Sequence, residues 1–134
     1  MRADEAIARA RQARESSKLL LEAGDFVGAV NRGYYAMFYA AHAALAHSRI
    51  EVPSAKHGTL VSRFGEHLVI TGRVPEHFGR WLNQALETRS IGDYGDVPPD
   101  YDKASELLAR ADALLAAIEA LLAAPPIKPR GRRA

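Results

Sequence analysis

The sequence predicts an all-α fold, an antiparallel up-and-down bundle of four or five helices. Apolar residues recur at the helical period of about 3.6 residues in five segments, and glycine or proline separates one segment from the next. No segment alternates apolar and polar residues as a strand does. A chain of 134 residues can bury one hydrophobic core and is too short for two. We therefore expect one helical domain over residues 1–124 and a separate tail over residues 125–134.

The first two predicted helices are separated by Gly24. The first runs from about residue 3 to residue 23. Its apolar anchors are Ile7, Leu19, Leu20 and Leu21. The second begins at Asp25, an expected N-cap, and continues to about Ser48. It is apolar on nearly all sides, which predicts a position at the centre of the core.

Three further helices are expected. The third runs from about residue 55 to residue 69 after Ser54, its expected N-cap, and the fourth from about residue 76 to residue 91 after Pro75. The side chains that the fourth should bury are Phe78, Trp81, Leu82 and Leu86. A Gly-Asp-Tyr-Gly turn should follow at residues 92–95. The fifth helix runs from about Asp100 to residue 123 and ends before two prolines.

The basic residues of the chain are concentrated at its end. The formal net charge of +2 comes from 18 Lys and Arg against 16 Asp and Glu. Four of those 18 lie in the last eight residues, IKPRGRRA, so the other 14 leave the helical domain neutral to slightly acidic. We expect residues 125–134 to form a flexible, solvated basic tail, and contact with phosphates is the alternative.

Composition and spacing argue against several kinds of site. The absence of cysteine excludes disulfides and thiolate metal sites. His42 and His47 are five residues apart on one helix and point in different directions, so no zinc site is expected. The acidic residues near Tyr94 lack the spacing of a calcium loop. No apolar run reaches the roughly 20 residues that cross a bilayer. We expect a cytoplasmic protein with no metal and no cofactor.

The second helix carries a concentration of aromatic residues. They are Tyr34, Tyr35, Phe38 and Tyr39. Aromatic residues at helical spacing usually pack in a core, and we expect Phe38 to be buried. However, Asn31, Tyr35, Phe38 and His42 share one stripe of the helix. Polar residues at both ends of that stripe indicate a cleft as the alternative.

Two other places suit an anion. His57 follows Lys56 near a predicted helix start, where backbone amides favour negative charge; an exposed histidine without a role is the alternative. Arg89 lies near the end of the fourth helix, five residues before Tyr94. A guanidinium binds phosphate, and a phenol can donate a hydrogen bond or stack on a base. The alternative is an ion pair of Arg89 with Glu87, Asp93 or Asp96 and a structural Tyr94.

Two motifs of the chain resemble those of the HEPN family. They are AVNRGYYAMFYAAHAAL, residues 29–45, and KHGTLVSRFGEHLVITGRVPEHFGRWLNQALETRSIGDYGD, residues 56–96. The resemblance covers most of residues 1–122. It implies a bundle of four or five helices, usually a homodimer, whose cleft forms where the arginine motifs of two subunits meet. It also implies a toxin–antitoxin component that acts on or binds RNA or nucleotide, with a minimal nucleotidyltransferase as its partner.

The resemblance is incomplete at the catalytic motif. Active HEPN ribonucleases have an arginine, four to six residues and then a histidine, whereas Arg89 is followed by Tyr94 and no histidine follows His77. An ordinary tyrosine, with a pKa of about 10, is a poor base at pH 7. The alternative is a non-catalytic nucleotide-binding or protein-interaction module. The candidate catalytic residues are Arg89 and Tyr94. The candidate nucleotide-binding or phosphate-binding residues are Arg89, Asp93, His57, Lys56, Arg32 and Tyr35.

Overall fold

The computed structural model describes residues 1–52, 57–94 and 97–124, and for residues 91–94 it describes the backbone alone. These residues form five α-helices and no strand. The helices are α1 (Ala3–Glu22), α2 (Phe26–His47), α3 (His57–Phe64), α4 (Glu76–Tyr94) and α5 (Tyr101–Ala123). One turn of π-helix, Gly65–Val69, continues α3. The all-α bundle is confirmed.

The predicted helix ends are formed by local chemistry. Gly24 ends the α1 region with a φ of 82°, a left-handed conformation that favours glycine. The carboxylate of Asp25 then accepts a hydrogen bond from the Gly28 amide at 2.8 Å, which confirms it as the N-cap of α2. Asp100 caps α5 in the same way, through the Lys103 amide at 2.8 Å. The expected cap Ser54 lies outside the described residues.

Helix α2 is the centre of the bundle, as its apolar composition predicts. It contacts each of the other four helices. Its fully buried alanines are Ala29, Ala36, Ala40, Ala41, Ala43 and Ala44. Small side chains allow close approach, as at Gly33, where an added Cβ would lie 2.5 Å from Cδ2 of Leu107 on α5. The hydroxyl of Ser17 on α1 donates to the Ala29 carbonyl at 2.6 Å. Helices α1, α2 and α5 are therefore tightly packed.

The structure corrects one predicted boundary. Helix α4 continues to Tyr94, so the predicted turn beginning at Gly92 is wrong. A glycine inside a helix costs only about 1 kcal/mol, which packing can offset. Pro98 and Pro99, which do prevent a helix, come later in the chain.

Some predicted burial is also corrected. Leu19 is 65% exposed, because three consecutive leucines cannot all face one side of a helix that turns about 100° per residue. Phe38, Trp81 and Leu86 are half-buried rather than buried, whereas Phe78 and Leu82 are in the core as predicted. The rings of Phe38 and Trp81 are covered in part by polar side chains, His57 and Arg110 respectively. In the described part of the chain, no helix combines the length and apolarity needed to cross a membrane.

Candidate functional site

Three helices bring one group of side chains together. Helix α2 supplies Tyr34, Tyr35 and Phe38, the start of α3 supplies His57, and α4 supplies Arg89. We call these five residues the Arg89 cluster. Tyr34 is fully buried, and the other four are half-buried. The cluster therefore has a rigid base in the core and a side that solvent can reach.

His57 is held by a hydrogen bond and by ring packing. Its Nδ1 lies 2.7 Å from the Tyr34 hydroxyl oxygen. The centre of its ring lies 4.7 Å from the centre of the Phe38 ring and 5.6 Å from the centre of the Tyr35 ring. Aromatic contacts at these distances restrict rotation of the imidazole. With Nδ1 occupied, Nε2 is the ring nitrogen left for a ligand.

Arg89 lies against the same two tyrosines as His57. Its guanidinium carbon is 5.6 Å from the centre of the Tyr34 ring and 5.5 Å from that of Tyr35. Such cation–π contacts orient a guanidinium and stabilise it where part of its hydration is lost. On the outer side, the guanidinium carbon of Arg32 lies 5.4 Å from the centre of the Tyr35 ring. Tyr35 is thus shared by both arginines.

The electrostatics of the cluster favour a neutral imidazole beside a cation. Burial lowers the pKa of His57, and the positive charge of Arg89 lowers it further. Burial raises the pKa of Tyr34, although Arg89 opposes that shift. Near pH 7, His57 is therefore uncharged and Tyr34 is a protonated phenol. The cluster presents one fixed cation, a neutral imidazole and a half-exposed phenol ring, a combination suited to a phosphate group with an attached base.

The structure brings several of the predicted site residues together. Arg89, His57 and Tyr35 belong to the cluster, and Arg32 adjoins it through Tyr35. Lys56 lies outside the described residues. The side chains of Asp93 and Tyr94 also lie outside the described part, as does the alternative in which Arg89 pairs with Asp93 or Asp96.

Tyr34 also belongs to the Arg89 cluster, although the sequence predicts it only as a core residue. One signal existed: it adjoins Tyr35 in a Tyr-Tyr pair, and a buried phenol needs a hydrogen-bond partner. Of the predicted stripe through Asn31, Tyr35, Phe38 and His42, only Tyr35 and Phe38 belong to the Arg89 cluster. His42 Nε2 instead lies 3.4 Å from the carbonyl oxygen of Met1. Among the described residues, no three His, Asp or Glu side chains are grouped so that they could hold a metal ion.

A separate groove of about 640 Å³ lies between α4 and α5. Trp81, Gln84 and Arg110 are among the residues that line it. The guanidinium carbon of Arg110 lies 5.1 Å from the centre of the Trp81 ring, and its NH1 donates to the Gln84 side-chain oxygen at 2.8 Å. Arg110 also forms an ion pair with Glu106 at 3.1 Å. Its position, over an aromatic ring but outside the Arg89 cluster, makes it a matched control for Arg89.

Comparison with known proteins identifies relatives over most of the chain. The chain is 39% identical to the UPF0332 protein glr0978 of Gloeobacter violaceus over 87 residues, which are 65% of this chain and 68% of that protein. It is 37% identical to a UPF0332 protein of Thermotoga maritima over 89 residues, 66% of each. A protein of Methanocaldococcus jannaschii named "Putative toxin MJ0605" is 29% identical over 97 residues, 72% of this chain and 71% of that protein.

The family resemblance of the two sequence motifs is tested by a family model. The model of the HEPN domain matches residues 3–121, which include α1 to α4 and nearly all of α5. The match therefore covers every residue of the Arg89 cluster. The chain belongs to the HEPN domain family.

Proposed function

We propose that this protein is a cytoplasmic toxin of the HEPN type that binds RNA, and that the Arg89 cluster holds a phosphate of the RNA backbone. The observation that carries the proposal is the convergence of Arg89 and His57 on the same pair of tyrosine rings. Family membership and the name of the M. jannaschii relative support the toxin assignment.

The chemistry of each side chain fits a single-stranded nucleic acid. A guanidinium donates two parallel hydrogen bonds to phosphate oxygens. The half-exposed ring of Tyr35 offers a face on which a base can stack, and single-stranded RNA exposes its bases for this purpose. Arg32, on the outer side of Tyr35, is placed to meet a neighbouring phosphate. Nucleotides share this chemistry, and a free nucleotide is the smallest ligand the cluster could bind.

The test is a binding titration with a short labelled single-stranded RNA. We expect Arg89→Ala to weaken binding by about 1.5 to 3 kcal/mol, the range for hydrogen bonds to charged groups. Arg89→Lys keeps the charge but loses the two-donor geometry, so it should restore only part of the affinity. Thermal melting of both variants should stay close to that of the wild type.

Arg110→Ala is the matched control, because it also removes a cation that lies over an aromatic ring. It should leave RNA binding within about twofold, the range of a surface substitution of roughly 0.5 kcal/mol. Equal losses in Arg89→Ala and Arg110→Ala would show that binding depends on net charge and not on the cluster. If Arg89→Ala melts the protein with no separate binding defect, Arg89 is a structural residue and the proposal fails.

We further propose a homodimer and a minimal nucleotidyltransferase partner, as the family resemblance implies. Tyr39, a half-buried aromatic residue of α2 outside the Arg89 cluster, supports an interface beside the cluster. Symmetric pairing is the commonest form of self-association. Sedimentation at micromolar concentration tests the dimer. Co-expression with the product of a neighbouring nucleotidyltransferase gene, followed by co-purification and growth measurement, tests the partner.

A binding module without catalysis is the second candidate. It is favoured by the tyrosine at position 94, where active HEPN ribonucleases of this spacing have a histidine. This candidate predicts Arg89-dependent RNA binding and intact RNA after long incubation. A toxin that acts on RNA predicts cleaved RNA instead, so a cleavage assay on the same labelled RNA separates the two candidates.

A further inference from the structure

Phosphate binding alone does not account for the position of His57. An imidazole that only added a hydrogen bond to phosphate would need no fixed ring, yet His57 is bonded at Nδ1 to a fully buried hydroxyl and enclosed by the rings of Phe38 and Tyr35. A side chain held in one orientation beside a phosphate-binding arginine is the arrangement that proton transfer requires.

We propose that His57 is the catalytic residue of an RNA-cleaving site at the Arg89 cluster and that Tyr34 is its positioning residue. This inference rests on the proposed function, because the RNA must first be bound at Arg89. It assigns the proton transfer to the start of α3, whereas the family motif would place a histidine at the end of α4. His57 thereby supplies the histidine that position 94 lacks, from a different part of the sequence.

The step follows from the groups present. Nε2 of His57 takes the proton of a ribose 2′-hydroxyl, and the 2′-oxygen forms a bond to the adjacent phosphorus. The bond from phosphorus to the 5′-oxygen of the next nucleotide breaks. That oxygen takes a proton from water, and the imidazolium returns its proton to the hydroxide. The products are a 2′,3′-cyclic phosphate and a 5′-hydroxyl end, with no change of oxidation state. Arg89 stabilises the additional negative charge that develops on the phosphate oxygens in the five-coordinate transition state.

Tyr34 acts through His57 and does not touch the RNA. When the 2′-hydroxyl gives its proton to Nε2, the Nδ1–H of His57 donates to the Tyr34 hydroxyl oxygen, which lies 2.7 Å away. Tyr34 is fully buried, so this partner does not exchange for water. The bond fixes which nitrogen faces the ligand and prevents a ring flip that would place carbon there.

The charged and titratable groups around His57 keep it in the base form. From α2, Tyr34, whose pKa burial raises, and the ring of Tyr35 face it, with Arg32 on the far side of Tyr35. From α4, Arg89 adds a positive charge that lowers the pKa of His57, in addition to burial. A bound phosphodiester would offset the charge of Arg89 and so restore part of the basicity of His57 when substrate is present.

The test measures cleavage and binding separately, with the wild-type protein and the same labelled single-stranded RNA. We expect the wild type to produce ends with 2′,3′-cyclic phosphate. His57→Gln should lower the single-turnover rate by about 100-fold to 10,000-fold, the usual range for a general base, while the RNA affinity changes much less. The matched control is His67→Gln, which alters a half-exposed histidine beside Glu66 in the π-helical turn. It should leave the rate unchanged.

Two further readouts distinguish catalysis from structure. Added imidazole should restore part of the rate of His57→Ala, because a free base can occupy the space left by the ring. Tyr34→Phe should lower kcat by about tenfold to a hundredfold, as expected for a misplaced catalytic group, with KM nearly unchanged. A purely structural role for Tyr34 would instead lower RNA affinity and melting temperature together.

The outcomes separate this inference from the function on which it rests. Arg89-dependent binding without any cyclic phosphate product overturns the role of His57 and leaves RNA binding in place. No RNA binding at all overturns both. A wild-type rate in His57→Gln, or a rate abolished by Tyr94→Phe with His57 intact, assigns the proton transfer to another residue. Should Tyr34→Phe fail to fold, the imidazole experiment on His57→Ala still decides the role of His57.

Discussion

At the scale of single residues, the partner of His57 sets its chemistry. A histidine bonded to a carboxylate becomes more basic, because the anion stabilises the imidazolium. The partner here is the Tyr34 phenol, whose pKa burial raises, so it stays neutral. This neutral partner orients His57, and the positive charge of Arg89 lowers the pKa of His57, so the histidine is weakly basic. Such a histidine stays uncharged near pH 7 beside the positive charge of Arg89.

Sequence alone predicts the members of this site better than their arrangement. Arg89 and His57 stand out because the sequence places them near the predicted end of the fourth helix and the predicted start of the third, positions that suit an anion-binding side chain. Their convergence depends on how α3 and α4 pack on α2, a long-range property that no local pattern encodes. Tyr34 illustrates the limit: its helical spacing correctly predicts burial, but its bond to a residue 23 positions later follows only from the tertiary fold.

The first prediction at this scale concerns stability and pH. Burial lowers the pKa of both His57 and His42, and Arg89 lowers that of His57 further. Near pH 6.5 these two histidines therefore bind more protons in the unfolded chain than in the folded protein. Acidification thus favours unfolding, and the melting temperature should fall as pH drops from about 7 through this range.

The control for that prediction removes the titrating groups. The double variant His42→Gln with His57→Gln should show a flatter dependence of melting temperature on pH than the wild type. Identical slopes for the wild type and the double variant would contradict the assignment to these two histidines.

At the scale of elements, periodicity predicts the helices and most of their described ends, but it misses the end of α4. The caps Asp25 and Asp100 are confirmed, because an N-cap is a local hydrogen bond visible in sequence. The end of α4 was placed too early, since Gly92 weakens a helix without stopping it. The π-helical turn Gly65–Val69 was not predicted either. The backbone amide of Ile70, just after this turn, donates to the carbonyl of Gly65, five residues earlier. No residue type specifies this π-helical hydrogen bond over the ordinary α-helical one.

The second prediction belongs to the packing of α1, α2 and α5. A Cβ added at Gly33 would lie 2.5 Å from Cδ2 of Leu107 and 3.2 Å from the Ser17 hydroxyl oxygen. Overpacking in Gly33→Ala should therefore destabilise the protein by about 1 to 3 kcal/mol. The higher helix propensity of alanine should offset up to about 1 kcal/mol of that loss. Denaturant unfolding measures the difference.

Gly65→Ala provides the comparison, because a Cβ there meets no atom within 4 Å. It should be neutral or slightly stabilising, since alanine restricts the unfolded chain more than glycine does. If both variants are equally stable, the three helices separate easily enough to accept a methyl group, and the close packing inferred at Gly33 is wrong.

At the scale of the whole molecule, the distribution of charged residues bears on the proposed binding of RNA. Several arginines of the described surface are paired with acids: Arg14 contacts Asp112, Arg11 lies 2.5 Å from Glu119, and Arg80 lies 3.3 Å from Glu76. These pairs leave little excess positive charge on the helical domain, which is neutral to slightly acidic by composition. The affinity for RNA should therefore come from local contacts at the Arg89 cluster and not from a broad basic face.

The final prediction separates the cluster from the tail, whose residues 125–134 lie outside the described part of the chain. Each phosphate contact to single-stranded nucleic acid adds about 0.7 to the slope of log affinity against log salt. Arg89→Ala should lower that slope by about 0.7. Four basic residues lie in the last eight positions, so a tail that contacted phosphates could contribute a slope of about 3. Because we expect a solvated tail, a chain ending at Ala124 should keep the slope of the full chain. If truncation lowers the slope by about 3 and Arg89→Ala keeps the wild-type slope, RNA binds to the tail and not to the cluster.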